Sequence, residues 1–161
     1  MIDGKSFPLK ISGNFYFELS VVAPEVSAKV IRVEPPDGAK FDTGEGNLPP
    51  PPAFIELFFD KSLQEPTLNA NTVRVVRSES GGPTQPWPGA VTYNDATRSA
   101  RFTPDQRFDG SPLPGGFLYT LTIFGDGPGI TDVDGLALDG NSDGLPGGNF
   151  TSTFSVTQRI G

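Results

Sequence analysis

The sequence predicts an all-β protein: a β-sandwich of about seven strands preceded by an extra N-terminal strand. Three observations predict it. Gly (20) and Pro (17) together make up 37 of 161 residues, nearly twice the average usage of about 12%. Short segments rich in Val, Ile, Phe, Tyr and Thr alternate apolar and polar residues with period two, as half-buried strands do. Strong breakers separate these segments, so neither a long strand nor a helix can continue across them.

The elements follow in order. Alternation marks strands over 14–22, 28–34, 53–60, 72–78, 89–93, 98–103, 116–124 and 150–157. In 28–34 the adjacent Val30 and Ile31 interrupt the pattern, and Val33 keeps the phase of Ile31. In 72–78, Val73 and Val75 point one way while Arg74 and Val76 point the other. In 116–124, Phe117, Tyr119, Leu121 and Ile123 share one face, which is expected to be buried. The breakers are Glu34-Pro-Pro-Asp-Gly38, the run Pro49 to Pro52, the loop Ser80 to Gly89 and Pro112-Leu-Pro-Gly-Gly116. Lys61–Leu68 alone admits a helical turn, and Pro66 limits it. Short strands without helices imply a sandwich with Greek-key-like connections. A small β-barrel is the alternative.

Composition removes whole classes of function. A chain of this length forms one domain with a core large enough to need no staples. A net charge of −7 and a pI near 4.5 argue against nucleic-acid binding, which needs a basic footprint. With no Cys, disulfides, thiolate metal sites and thiol nucleophiles are excluded. With no His, the commonest general base and the Ser-His-Asp arrangement are excluded. No run approaches the ~20 apolar residues of a membrane helix, so no membrane insertion is expected. The start Met1-Ile-Asp-Gly-Lys5 lacks the apolar core of a signal peptide. If the module is exported, it has been cut from a longer precursor.

One internal echo bears on organisation. Gly13-Asn-Phe-Tyr-Phe-Glu-Leu-Ser-Val21 matches Gly148-Asn-Phe-Thr-Ser-Thr-Phe-Ser-Val156 at Gly, Asn, Phe, Ser and Val. Residues 1–24 therefore read as an extension carrying the last strand of a preceding module, and 25–161 as the sandwich module itself. Residues 14–22 are expected to pair along a sheet edge, in their own molecule or a neighbour. An ordinary first strand is the alternative.

Several runs together resemble bacterial immunoglobulin-like domains, the kind repeated in surface-layer and other large surface proteins. They are Val30-Ile-Arg-Val-Glu-Pro-Pro-Asp-Gly-Ala39, Ile55-Glu-Leu-Phe-Phe-Asp-Lys-Ser-Leu63, Asn71-Thr-Val-Arg-Val75, Val91 to Pro104, Tyr119-Thr-Leu-Thr-Ile123, Gly129-Ile-Thr-Asp132 and Phe150-Thr-Ser-Thr-Phe154. The match covers roughly 28–157; its order and spacing carry it, since Pro-x-Asp-Gly alone is common. The run Pro49 to Pro52 and the loop 78–88 depart from the pattern. The resemblance implies an immunoglobulin-like sandwich, used without catalysis as a repeated spacer or adhesive module. It further implies an extracellular or cell-surface location within a longer exported protein, with neighbouring modules of the same chain, and a glycan or cell-surface protein, as partners.

The candidate sites are few. Asp139-x-Asn141-x-Asp143-Gly144 has the odd-position oxygens and sharp-turn Gly of a calcium loop. Calcium wants six to eight oxygens, and Asp132, Asp134 and the carbonyl of Leu145 are the further candidates. The twelfth position is Phe150 instead of Glu, so the match to an EF-hand stops there. Asp, Asn and Gly also populate tight turns with no metal. Four carboxylates within 132–143 repel one another unless a cation or solvent screens them. Trp87, on a Pro-rich loop, and Tyr93 are the candidates for stacking on a sugar. The competing role for Trp87 is to plug the sandwich edge, because loop aromatics bury their large area when they can. Asp126, Asp132 and Asp134 offer a carboxylate pair for hydrolysis only if their surroundings raise one pKa, which polar loops do not. A Lys–Asn isopeptide crosslink, found in some surface sandwiches, would use Lys29, Lys40 or Lys61. The expected function is a structural or adhesive module; a carbohydrate-binding module and an accessory domain of a secreted enzyme are the alternatives.

Overall fold

Chain direction and hydrogen bonding divide the protein into two stacked sheets. The structure is a computed structural model that describes residues 26–44, 47–79 and 82–158. Its strands are β1 (Val30–Glu34), β2 (Ala39–Asp42), β3 (Ile55–Phe59), β4 (Val73–Glu79), β5 (Gln85–Pro86), β6 (Gly89–Asn94), β7 (Ser99–Pro104), β8 (Phe117–Ile123) and β9 (Phe150–Thr157). One sheet has the order β2-β9-β8-β4-β5 and the other β1-β3-β7-β6. The fold is a β-sandwich, as the alternation predicts. The strand expected over 14–22 lies outside the described residues, as does the 1–24 extension. Lys61–Leu68 holds a single 3-10 turn, Glu65–Thr67, with Pro66 in its first turn, where a missing N–H costs nothing.

The expected inward faces are buried. Ile55, Leu57 and Phe59 of β3, Val73 and Val75 of β4, and Tyr119, Leu121 and Ile123 of β8 form the core with Phe154 and Val156 of β9. The first strand corrects the phase read from sequence. Its register shifts between Val30 and Arg32, a bulge that turns Ile31 outward to 59% exposure while Val30 and Val33 pack on the core. A bulge adds one residue to a strand and so breaks strict period two.

Two strands escaped the alternation. The turn after β1 transfers the chain from one sheet to the other. Gly38 adopts φ 83° there, its N–H donates to the carbonyl of Thr153, and the Asp37 carboxylate accepts from the N–H of Thr153. The chain thereby lands as β2 beside β9, parallel to it, with Phe41 opposite Val156. β5 is a two-residue strand inside the Pro-rich loop, paired to Val76 and Arg77, and an edge position tolerates its proline.

An aromatic cluster ties two loops to the five-stranded sheet. Tyr119 is fully buried, stacked on Phe154 at 5.2 Å and met edge-on by Phe108 and Trp87 at 4.9 and 5.7 Å. Its hydroxyl donates to the carbonyl of Asp109 at 3.0 Å and accepts from the N–H of Asp109 at 2.8 Å, which ties the loop before β8 to the core. Burial raises its pKa, so the phenol stays neutral. Tyr119→Phe keeps the ring and leaves both main-chain groups without this partner. It is expected to destabilise by about 1–3 kcal/mol, measured as a lower urea midpoint at unchanged slope.

Candidate functional site

The chemistry concentrates at one pole. There β1 begins, β3 and β8 end and β9 begins; the 124–149 connection covers this end. That connection has no regular strand, yet Ile130 and Leu138 are fully buried and its backbone is bridged to Leu63 at Asp132. It closes over itself at glycines: a Cβ on Gly125 or Gly140 would sit 2.3 or 2.2 Å from the carbonyl oxygen of Gly148, closer than any side chain tolerates.

Asp132 is the centre of this pole and has no exposed surface. Its Oδ1 accepts from the N–H groups of Asp134 and Leu136 at 2.9 and 3.0 Å. Its Oδ2 accepts from the N–H of Ala28 at 3.2 Å and meets Lys61 Nζ at 3.2 Å. The same ammonium reaches Asp134 Oδ2 at 2.6 Å and donates to the carbonyl of Val26 at 3.1 Å. Three oxygens thus surround one ammonium. The hydrogen bond to Asp134 is the largest influence on Lys61 and, with Asp132, raises its pKa against the opposing effect of burial. The partners of Lys61 Nζ among the described residues are thus two carboxylates and a main-chain carbonyl, with no Asn amide beside it as an isopeptide crosslink would need. Lys29 is placed by its backbone N–H, which donates to Asp60 Oδ1, and Lys40 lies on β2.

The other acids form a separate turn. Asp139 is buried and accepts from the N–H groups of Asp143 and Gly144. Asp143 Oδ1 accepts from the N–H of Leu145, and its Oδ2 accepts from the Asn141 amide. The side chain of Leu145 is largely solvent-exposed. Asp126 accepts from the N–H of Gly148, while Asn149 Oδ1 accepts from the N–H groups of Gly125 and Asp126. The expected ligands Asp132, Asp134, Asp139, Asn141, Asp143 and Leu145 therefore fall into two groups. Among the described residues no three acidic side chains converge as a metal site would require. In the first group an ammonium occupies the place between the carboxylates, and in the second the carboxylates hold backbone N–H groups. Sequence reading missed Lys61 as the counter-charge. The signal was a lysine directly after a strand, in a chain whose acids outnumber its bases, 19 to 12.

The aromatic candidates separate as well. Trp87 is only 7% exposed; its indole N–H donates to the carbonyl of Gln106 and the Arg77 guanidinium lies 4.2 Å over its ring. Its large apolar area is thus mostly packed, as the edge-plugging role expects. Tyr93 is half-buried, and its hydroxyl accepts from the N–H of Leu63 and donates to Asp95. Burial is the main cause of its raised pKa. It lines a shallow polar groove with Glu56, Thr92, Asn94, Ser99 and Arg101, away from Trp87. Three clefts of 370–390 Å³ are lined by residues other than Asp126, Asp132 and Asp134.

Neither a protein-family model nor a curated protein matches the chain. Solved structures do. The methionine-rich copper resistance protein PcoC from Escherichia coli is similar at 12% identity and a TM-score of 0.54, over 81% of this chain and 98% of that one. Domains 1–6 of the surface layer protein SbsC match at 14% identity and a TM-score of 0.48, over 84% of this chain and 14% of that one. At such identities the likeness to PcoC shows a shared β-sandwich fold.

Asp132→Ala leaves the N–H groups of Ala28, Asp134 and Leu136 without this acceptor and Lys61 without its buried partner. The expected loss is at least about 3 kcal/mol, or roughly 6–12 °C in midpoint for a domain of this size. The pH dependence has a definite sign. Lys61, Tyr93 and Tyr119 all have folded pKa values above their ordinary ones. Their contribution is fully present below about pH 10 and is lost as pH rises through the folded values. Thermal midpoints are expected to fall above pH 10, and less steeply in Lys61→Met.

Proposed function

We propose that this chain is a non-catalytic, immunoglobulin-like structural module of an exported surface protein, acting as a load-bearing spacer between neighbouring modules of the same chain. The observation that carries this reading is mechanical. The described chain enters at the pole of Val26 and Ala28, beside Lys61 and Asp132, and leaves at the opposite pole, where Thr157 pairs with Asp42. Eight-residue β9 at about 3.3 Å per residue sets these poles about 26 Å apart or more. β2, which continues from β1 toward the far pole, and β9, the last strand, run parallel and are hydrogen-bonded along Ala39–Asp42. Tension between the poles pulls these two strands lengthwise in opposite directions. Their hydrogen bonds then share the load, instead of opening one after another as at a peeled edge.

The remaining features fit the same reading. Lys61, Asp132 and the Asp139 turn fix the loops of the leading pole to the first described residues. The resemblance of the runs between 28 and 157 to repeated surface modules points to the same use. Net charge −7 favours solubility and discourages sticking to anionic envelopes. Soft-metal chemistry of the kind named for PcoC finds few ligands: the chain has no His or Cys, and one Met. Without calcium, Lys61 screens Asp132 and Asp134, and backbone N–H groups hold Asp139 and Asp143 in a turn.

Two measurements test the proposal. In single-molecule pulling through the chain ends, Phe41→Pro, which disrupts the β2–β9 ladder, is expected to lower the peak unfolding force strongly. An unchanged force would overturn the load-bearing reading. Millimolar calcium and excess chelator are expected to give the same thermal midpoint. A rise of several degrees with calcium, abolished by Asp143→Ala, would instead make 139–145 a calcium clamp, since a site filled 100-fold over its Kd adds about 2.7 kcal/mol.

A further inference from the structure

Among the described strands, three of the four sheet edges are guarded. β2 is covered on its outer side, where the N–H of Asp42 donates to the carbonyl of Pro49 at 3.0 Å, at the head of the run Pro49 to Pro52. β5 is two residues long, and one of them is Pro86. β1 carries Arg32 and Glu34, shifts register between Val30 and Arg32, and runs into Pro35. Short length, charge, proline and bulges are the devices that keep a sheet edge from pairing with another chain. β6, the remaining edge, has none of them. Its six residues, Gly89–Asn94, include no charge and no proline, and its register with β7 is unbroken from end to end. The phase of that ladder shows which main-chain groups are unused. The carbonyl of Pro88 accepts from the N–H of Asp105 at 2.9 Å. Opposed pairs in an antiparallel ladder alternate between bonded and non-bonded, so Ala90, Thr92 and Asn94 turn their N–H and C=O groups to β7. Gly89, Val91 and Tyr93 turn theirs to the open side, and among the described residues no hydrogen bond reaches those groups.

We infer that β6 pairs antiparallel with β6 of a second copy of this chain, about a two-fold axis through Val91. This register sets all three open residues opposite one another, Val91 on Val91 and each Gly89 on a Tyr93, and every such pair exchanges two hydrogen bonds. The side chains agree with it. Val91 and Tyr93 pack on the core side, while Ala90 and Thr92 are exposed on the outer face. Val91 thus meets a β-branched partner, and each Tyr93 ring covers an edge glycine that has no side chain of its own. A second copy fits because the strand is its own complement. With no charge on the ladder, the two-fold places no like charges opposite one another, and Asp95, the first charge after the strand, lies beyond the last bonded residue. One strand per copy buries less than the about 1,200 Å² of a standard interface, so the pairing depends on concentration. Net charge −7 on each copy opposes it at low salt, and screening favours it.

The chain has no Cys, so single thiols report the register. Ala90 and Thr92 are exposed, and each faces the other across the two-fold. In the full chain at physiological ionic strength, an equal mixture of the Ala90→Cys and Thr92→Cys proteins is expected to oxidise mainly to the mixed dimer, resolved from the two like dimers by mass. A statistical mixture, an excess of either like dimer, or no dimer overturns the inference. Sedimentation gives an independent readout without new thiols. The weight-average mass of the unaltered chain is expected to rise from 17.1 kDa toward twice that value with concentration, and further at higher salt. Thr92→Lys places a charge on the exposed face of the edge. Its thermal midpoint is expected to match that of the unaltered chain while the rise in mass disappears. An unaltered chain that stays at 17.1 kDa at millimolar concentration overturns the inference and leaves the edge to a strand of a different protein. A Thr92→Lys chain that associates as before overturns it as well.

Discussion

The structure turns on a buried carboxylate. Asp132 joins the first described residues, the segment after β3 and its own loop through three backbone N–H groups and one ammonium. Taking a carboxylate out of water costs several kcal/mol even after relaxation. Hydrogen bonds to a charged group return about 1.5–3 kcal/mol each, so three of them with Lys61 can outweigh that cost. Removing any one partner leaves a buried charge less compensated, which ties the long 124–149 connection to the pole it covers.

From that pole the order passes into the core. The bridge between Leu63 and Asp132 sets the crossing from β3 toward β4 against the 124–149 connection, whose Ile130 and Leu138 are buried with the sheet residues. The aromatic group around Tyr119 secures the middle and the far end, where the loop carrying Phe108 and Asp109 is bound to β8. Polar fixation thus holds one end of the sandwich and aromatic packing the other. The parallel pairing of β2 with β9 joins the strand after the sheet-to-sheet turn to the last described strand.

Much of the fold was legible locally. Alternation marked every long strand because each has one wet and one dry face, and the Pro and Gly clusters marked the turns. β2 was missed because four residues paired to a strand more than a hundred positions away leave no local period. The phase of β1 was misjudged because a bulge after Val30 is invisible in a two-period count. The acids of 132–145 were legible as turn formers, whereas their division into two groups was not, since Lys61 comes from a strand end some seventy residues earlier. Trp87 could be read as ligand or plug; only the packing against Tyr119 and Arg77 distinguishes the two.

By itself the sequence determined the all-β class, the inward faces of the strands, the exclusion of thiol and histidine chemistry and the acidic surface. These follow from residue type and period, which act over a few neighbours. The tertiary structure alone decided which strands lie parallel, at which pole each end of the described chain lies, and which charge answers which. Such outcomes depend on contacts between distant segments, and no local pattern of side chains encodes the distance between them.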